Sequence, residues 1–318
     1  MIRWGILGAG NIAERFANSL RHEQNSLLEA VSCRSLEKAE RFRKAHGAGK
    51  AYAGYEQMLL DPALDAVYLA LPHGLHREWA VKALEAGKAV LCEKPCALNA
   101  EEVLEIRRAA EESGCLFMEA MKPRFTPLYM HLKERIEEGM IGRLIRIEAS
   151  LCNAMPFSPD HPTYHTQPVQ GGALLDVGTY CAGYLQDFLG KDPRIGDVSV
   201  TMQGSVDYYV LAEMVFPGGE SALLECAFDR AKPRTCRMIG DKGELLIREL
   251  HRPWEAVLYR SGKAEEITVP YEVDDFYGEI FHFVRCLEEG RKESPVMPLS
   301  ASEETAQILD RIREAFPE

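Results

Sequence analysis

The sequence predicts an α/β protein: an amino-terminal doubly wound parallel sheet, then an α+β domain built on a largely antiparallel open sheet. Three observations predict it. Through residue 122, short apolar runs alternate with helical patterns, the order that makes parallel strands joined by crossover helices. Beyond residue 143, strand-like runs follow one another across short turns, which gives antiparallel pairing. The 318 residues also exceed the usual size of a single core, so two domains are expected, 1–122 and 123–318, with the terminal helical patterns flanking or bridging them.

The first element is the strand Ile2 to Leu7, followed by Gly8-Ala9-Gly10-Asn11-Ile12-Ala13 and a stripe of Ile12, Phe16 and Leu20 at helical spacing. Gly8 permits the tight turn, Gly10 lets backbone amides approach a pyrophosphate, and Ala13 lets the helix pack close on the strand. The helix amino terminus then holds anionic phosphates. Alone, Gly-x-Gly-x-x-Ala fits any tight strand-to-helix turn; between a strand and a helix it favours dinucleotide binding. The second strand, Leu27 to about Ser32, ends in Ser32-Cys33-Arg34-Ser35. No carboxylate is available there for ribose hydroxyls, and the planar fork of Arg34 suits a phosphate, so NADP is expected ahead of NAD. The alternative is that Ser35 caps the next helix, with Glu37 in its first turn, and Arg34 is solvated.

That next helix runs from Ser35 to about His46, followed by a short strand near Ala51 and a helix from Tyr55 to about Leu60 closed by Asp61-Pro62. A strand from Asp65 to Leu71 leads past His73 into a helix from His76 to Glu85, ended by Gly87. Ala89-Val90-Leu91-Cys92-Glu93-Lys94-Pro95 reads as a buried strand running into a charged pair locked by proline. It places Lys94 at the carboxyl end of a strand, where open α/β sheets bind ligands. A helix capped by Asn99 and a strand from Cys115 to Ala120 complete the domain.

In the second domain an amphipathic segment from Pro127 to about Gly139 precedes strands at 144–151, 198–206, 210–216, 222–228, 235–239 and 244–248. Helical patterns follow at 276–289 and 302–316. The Pro-rich loop from Met155 to Val169 carries His161 and His165 and is placed to cover a substrate. In Gly171-Gly172-Ala173-Leu174-Leu175-Asp176-Val177-Gly178-Thr179-Tyr180, a helix from Ala173 puts Asp176 and Tyr180 on one face, where carboxylate and phenol together hold a hydroxyl substrate. A neighbouring ammonium would favour the phenolate, and Lys94 is the candidate. The alternative is a solvated Asp176 and a packing Tyr180.

Composition narrows the function classes. A net charge of −12 disfavours nucleic-acid and anionic-membrane partners. No apolar run reaches spanning length, and the chain starts on a core strand rather than a signal peptide, so the cytoplasm is expected. Nine cysteines without a Cys-x-x-Cys pair argue against a disulfide framework. His73-x-x-His76 lacks thiolate or carboxylate partners at ligand spacing, so no metal is expected; His73 is read as lining a nicotinamide pocket and His76 as helix surface.

The amino-terminal Gly-x-Gly-x-x-Ala, the histidines of Pro-His-Gly-Leu-His, Glu93-Lys94-Pro95, Met118-Glu119-Ala120 and Gly172 through Tyr180 together resemble the glucose-fructose oxidoreductase/inositol dehydrogenase (Gfo/Idh/MocA) family, in order and across essentially the whole chain. The tyrosine version of the second motif is similar to the dimeric dihydrodiol dehydrogenase and anhydrofructose reductase branch. The resemblance implies a Rossmann domain and a carboxy-terminal sheet whose open face mediates dimerisation. It implies Lys94 as catalytic lysine, Asp176 as the residue orienting substrate, and Tyr180 as proton donor or acceptor. Cofactor contacts are expected at Gly8, Gly10, Asn11, Ile12, Ser32, Arg34, Ser35, Leu71, His73, His76, Glu93 and Lys94, and substrate contacts at Lys122, Arg124 and Phe157. One departure is Lys122-Pro123, where branch members carry an aromatic residue and Thr or Tyr.

The expected function is therefore an NAD(P)-dependent oxidoreductase moving a hydride between a nicotinamide cofactor and the CH-OH or carbonyl group of a sugar-like, polyol or dihydrodiol substrate, in a homodimer or higher homo-oligomer. Two alternatives share the signatures: a glycosidase using NAD for transient oxidation, and a nucleotide-binding sugar sensor without turnover. The intact Lys94, Asp176 and Tyr180 set weighs against the sensor, and the missing acid at the second strand end against the glycosidase.

Overall fold

The computed structural model describes residues 1–155 and 163–317. These divide into two compact units, one of residues 1–97, 101–122 and 272–299, the other of residues 98–100, 123–155, 163–271 and 300–317. The division differs from a single cut at residue 122. The segment carrying the penultimate helix joins the first unit, while the terminal helix belongs to the second apart from its first residue.

The first unit starts with β1 (Ile2–Leu7), α1 (Asn11–Leu20), β2 (Ser26–Cys33), α2 (Leu36–His46), β3 (Lys50–Ala53), α3 (Glu56–Leu59) and β4 (Ala66–Leu69). It continues with α4 (His76–Glu85), β5 (Ala89–Glu93), α5 (Ala100–Ser113) and β6 (Phe117–Ala120). The sheet order is β3-β2-β1-β4-β5-β6, with every neighbouring pair parallel. The order reverses between β1 and β4, and a crevice at such a switch point is where this architecture takes its ligand. Central strands of a sheet covered on both faces are mostly apolar, and all four residues of β4 and all five of β5 are buried, Glu93 at the end of β5 being the one charged member. Phe16 of α1 stacks on Tyr68 at 3.8 Å and meets Trp4 edge-on at 5.4 Å. Each such ring contributes about 1.5–3 kcal/mol through burial. Ser35 caps α2 by accepting the Lys38 N–H at 3.3 Å, and Gly47 closes it at φ 74°, the left-handed region that glycine enters without penalty.

The second unit continues with α6 (Pro127–Glu137), β7 (Leu144–Cys152), α7 (Thr179–Leu189), β8 (Arg194–Gln203), β9 (Val206–Val215) and β10 (Ser221–Ala227). Then come β11 (Thr235–Gly240), β12 (Glu244–Arg248), β13 (Glu255–Arg260) and β14 (Lys263–Thr268); α8 (Tyr277–Glu288) returns to the first unit, and α9 (Leu299–Glu314) ends the chain. The sheet order is β14-β13-β12-β11-β7-β10-β9-β8, antiparallel except for β7 with β10. One face is core: Ala222, Leu224 and Cys226 of β10 and Val210, Ala212 and Met214 of β9 are buried. The alternate residues Leu223, Leu211, Arg146, Glu148 and Ser150 stay partly exposed, the alternation of a sheet covered on one side.

Two details depart from the sequence expectations. The turn before β9 falls at Gly204-Ser205, with Gly204 at φ 62°, so β9 begins at Val206 rather than ending a strand there. The hairpin β13–β14 is an addition. Its turn residues Ser261 and Gly262 sit at φ 52° and 74°, the pair of positive values that a type I′ turn needs, and the charged face of β14 hides its period-two pattern.

Candidate active site

In the first unit the expected nucleotide residues gather at the carboxyl ends of β1, β2, β4 and β5. Gly8 follows β1 at φ 100°, and a Cβ there would lie 2.4 Å from the Ala70 carbonyl oxygen, so only glycine fits. Its N–H is held by the Ser32 carbonyl at 2.9 Å. Gly10 differs: a Cβ would meet no protein atom within 4 Å. Packing does not demand glycine here, so the open space suits a ligand. Gly10 caps α1 without a side-chain hydrogen bond, which leaves the first-turn amides, led by Asn11 and Ile12, for an anion. Ser32 Oγ is buried without a partner, whereas Ser35 spends its hydroxyl on the α2 cap and Arg34 stands exposed at the end of β2. The cradle fits a dinucleotide.

Lys94 comes directly after β5, half-buried, and its bond to Pro95 is cis. Buried side chains hold that turn. His76 was expected on the helix surface and is instead fully buried, with Nδ1 at 2.7 Å from the Pro95 carbonyl and Nε2 at 2.8 Å from the Leu71 carbonyl. Its ring thus ties the ends of β4 and β5 together. Burial holds the imidazole below its ordinary pKa, against the pull of the two carbonyls. Glu119 accepts the Cys96 N–H at 3.0 Å, and Tyr68 donates to Glu93. Burial raises the Glu93 pKa, with Tyr68 and the Lys94 and Lys122 ammonium groups partly offsetting it. His73 lies buried in the turn His73–Leu75.

Lys122 and Arg124, the expected substrate contacts, are both buried and paired within the protein. Lys122 is 5% exposed, with Nζ 2.6 Å from Asp275 and 4.8 Å from the Phe276 ring centre. Burial pushes the Asp275 carboxyl up, but Lys122 and Arg15 outweigh it and the net shift is downward. Arg124 donates to the Gly183 carbonyl at 2.9 Å and to Gln186 at 2.6 Å. Both cations pair with the protein's own acceptors within their units, while Arg124 Nε is buried with no hydrogen-bond partner. Phe157 and His161 lie outside the described residues. Glu279 escaped sequence reading: it is fully buried on α8 with no partner for either carboxyl oxygen, and burial drives its pKa well above the ordinary value, helped by Glu93. The only sequence signal was an acid inside the apolar stripe of Phe276, Ile280 and Phe283.

In the second unit the helix expected from Ala173 is a π-helical turn, Leu174–Gly178, that passes into α7. Such turns concentrate at functional sites. Gly172 makes it possible, at φ 103° with a Cβ position 2.2 Å from Asp207 Oδ1, while the Asp207 carboxylate takes the Leu174 N–H at 2.6 Å. Asp176 and Tyr180 are 7% and 8% exposed, so the solvated-aspartate alternative does not hold. Tyr180 meets the His251 ring edge-on at 6.0 Å. His165 brings Nδ1 to 3.3 Å from Asp176 Oδ2, a contact the sequence did not announce. Among the described residues no group of three or more His, Cys, Asp or Glu is placed to hold a metal, and no helix is long and apolar enough to cross a membrane. All nine cysteines are free.

Comparison with known proteins agrees with this fold. Residues 2–121 match the model of the oxidoreductase family with an NAD-binding Rossmann fold, and residues 129–246 that of the GFO/IDH/MocA C-terminal domain. The chain is 35% identical to trans-1,2-dihydrobenzene-1,2-diol dehydrogenase of Mus musculus, over 99% of this chain and 97% of that one. It is 31% identical to scyllo-inositol 2-dehydrogenase (NADP(+)) IolU of Bacillus subtilis, over 98% and 96%. Among solved structures it resembles KijD10, a 3-ketoreductase from Actinomadura kijaniata in complex with NADP and TDP-benzene, at 28% identity, 99% coverage of each chain and TM-score 0.89. The fold, the glycine turn and the relatives along its whole length give one conclusion: this chain belongs to the GFO/IDH/MocA family of NAD(P)-dependent oxidoreductases.

Proposed function

We propose that the enzyme uses NADP to interconvert a CH-OH group and a carbonyl on a sugar-like, polyol or dihydrodiol substrate, with Lys94, Asp176 and Tyr180 as the catalytic set. The carrying observation is Lys94 at the carboxyl end of β5, in the unit whose Gly8–Gly10 turn leaves α1 uncapped. When bound, NADP supplies the hydride acceptor or donor. Lys94 stabilises the negative charge that grows on the substrate oxygen as the CH-OH carbon is oxidised. Tyr180 takes the hydroxyl proton in that direction and returns it in reduction, and Asp176 orients the hydroxyl by accepting a hydrogen bond. The relatives named as acting on a dihydrodiol and an inositol support this substrate class. A screen of polyols and dicarbonyls, including trans-1,2-dihydrobenzene-1,2-diol and scyllo-inositol, with both cofactors tests it; turnover of none would reject it.

Arg34 supports NADP over NAD: it is exposed at the end of β2, where an NAD-type site would place a carboxylate. NADPH should bind tighter than NADH by about 1–3 kcal/mol, the scale of a charge-assisted hydrogen bond. In a fluorescence titration Arg34→Ala should erase most of that preference; equal NADH and NADPH affinity in the parent would refute it.

The partly exposed face of the second sheet, with Leu211 and Leu223 among Arg146, Glu148 and Ser150, supports a homodimer in which a second copy buries that apolar area. Light scattering at micromolar concentration should give twice the chain mass, and a monomer would contradict the assembly. The cytoplasm is the proposed compartment.

A further inference from the structure

The histidine beside Asp176 belongs to no motif, and neither the comparisons nor the mechanism above assigns it a role. His165 sits in the short turn Tyr164–Thr166, with its side chain 16% exposed and Nδ1 3.3 Å from Asp176 Oδ2. The separation is within ion-pair range, and Nδ1 is buried with no hydrogen-bond partner. The ring is fixed on two sides. Tyr164 lies against it at 3.7 Å between ring centres, and Phe228 meets it edge-on at 5.7 Å.

Its backbone is equally constrained. The Gly172 N–H donates to the His165 carbonyl at 2.9 Å, the Gly171 N–H to the Gln167 carbonyl at 2.8 Å, and the Asp176 N–H to the Gly172 carbonyl at 3.2 Å. A Cβ on Gly171 would stand 2.4 Å from the His165 oxygen. The absence of a side chain at Gly171 therefore lets the His165 segment lie close against the chain that leads into the turn carrying Asp176. Backbone hydrogen bonds thus link the segment carrying the imidazole to the turn carrying the carboxylate.

A buried carboxylate needs polar partners to remain both charged and directed. We propose that His165 is a positioning residue: its ring nitrogen fixes the direction in which Asp176 presents its carboxylate to the substrate hydroxyl. The inference rests on the reading of Asp176 as the substrate-orienting residue. It adds a group that acts through Asp176 and touches neither cofactor nor reacting atoms.

Two substitutions separate the nitrogen from the ring. His165→Phe keeps the stacking on Tyr164 and Phe228 and removes the nitrogen; His165→Asn keeps a nitrogen donor near the Nδ1 position and gives up the ring. With trans-1,2-dihydrobenzene-1,2-diol, or scyllo-inositol if that turns over faster, His165→Phe should raise KM roughly five- to tenfold, the scale of one ordinary net polar contact, with kcat changed less than about threefold. His165→Asn should stay within about twofold of the parent in KM, and NADPH affinity by fluorescence should be unchanged in both. A parent-like KM in His165→Phe, or an equal loss in His165→Asn, overturns the proposal, the second because it would mark a packing role. Asp176→Asn distinguishes the two levels: if it leaves KM unchanged, the reading of Asp176 fails, whereas a loss there beside a parent-like His165→Phe sinks this inference alone.

Discussion

Lys94→Met is expected to lower turnover by roughly a hundredfold or more while NADPH binding stays within a few-fold of the parent. Methionine keeps the length of the stem and removes the ammonium. The chain buries strand β5 completely up to Glu93 and leaves Lys94 half-buried beyond it, with His76 and Glu119 fixing the turn that follows. An ammonium carried on a backbone fixed in this way is preorganised for charge developing on the substrate oxygen, and removing one such electrostatic stabiliser costs roughly 10²–10³ in kcat. Tyr180→Phe removes only the phenolic proton and should cost of the order of a hundredfold, the usual scale of general acid–base catalysis. If the two serve one step, the double variant is hardly slower than the worse single variant, because groups acting as a unit are strongly non-additive. Steady-state rates with NADPH titrations on all three variants check this; independent, multiplying losses would show separate roles.

Lys122→Met should lower the stability of the first unit by about 2–3 kcal/mol, read from the urea midpoint at constant slope. Stripping a buried charge of its partner typically costs about 3–5 kcal/mol. The smaller figure applies because Asp275, 7% exposed, keeps a second cation in Arg15. Arg15 is 45% exposed and can compensate only in part. Replacing both members, Lys122→Met with Asp275→Leu, should recover most of the loss, since a well-packed apolar pair is often as stable as a buried ion pair. A Lys122→Met protein as stable as the parent would mean that the pair contributes nothing to holding Phe276 and the start of α8.

The amino-terminal half was legible because its signals are local and redundant. Gly8, Gly10 and Ala13 act within one turn, and the short, turn-bounded apolar runs of β4 and β5 suit strands buried on both faces. Lys94 could be placed at a strand end from its neighbours alone. What failed to show depended on partners distant in sequence. Nothing in Pro-His-Gly-Leu-His reveals that His76 reaches the Pro95 carbonyl 19 residues away, and the pairing of Lys122 with Asp275 spans 153 positions. A lysine beside a motif gives no sign in the sequence of the acid that pairs with it. The π-helical turn was hidden for another reason: its cause is Asp207, whose carboxylate takes the Leu174 N–H from a neighbouring strand. β14 was lost because Glu265 and Glu266 interrupt the alternation that its hairpin turn would otherwise have exposed.

The central claim is net redox chemistry, and the most direct measurement is absorbance of the reduced nicotinamide during turnover of the best diol or polyol, alongside a chemical assay of the carbonyl product. The assignment requires reduced cofactor and carbonyl to accumulate together, one for one, in the parent and almost not at all in Lys94→Met. Substrate consumption without accumulation of reduced cofactor would mean transient oxidation and hydrolysis, and binding without consumption would mean a sensor; either result would contradict it.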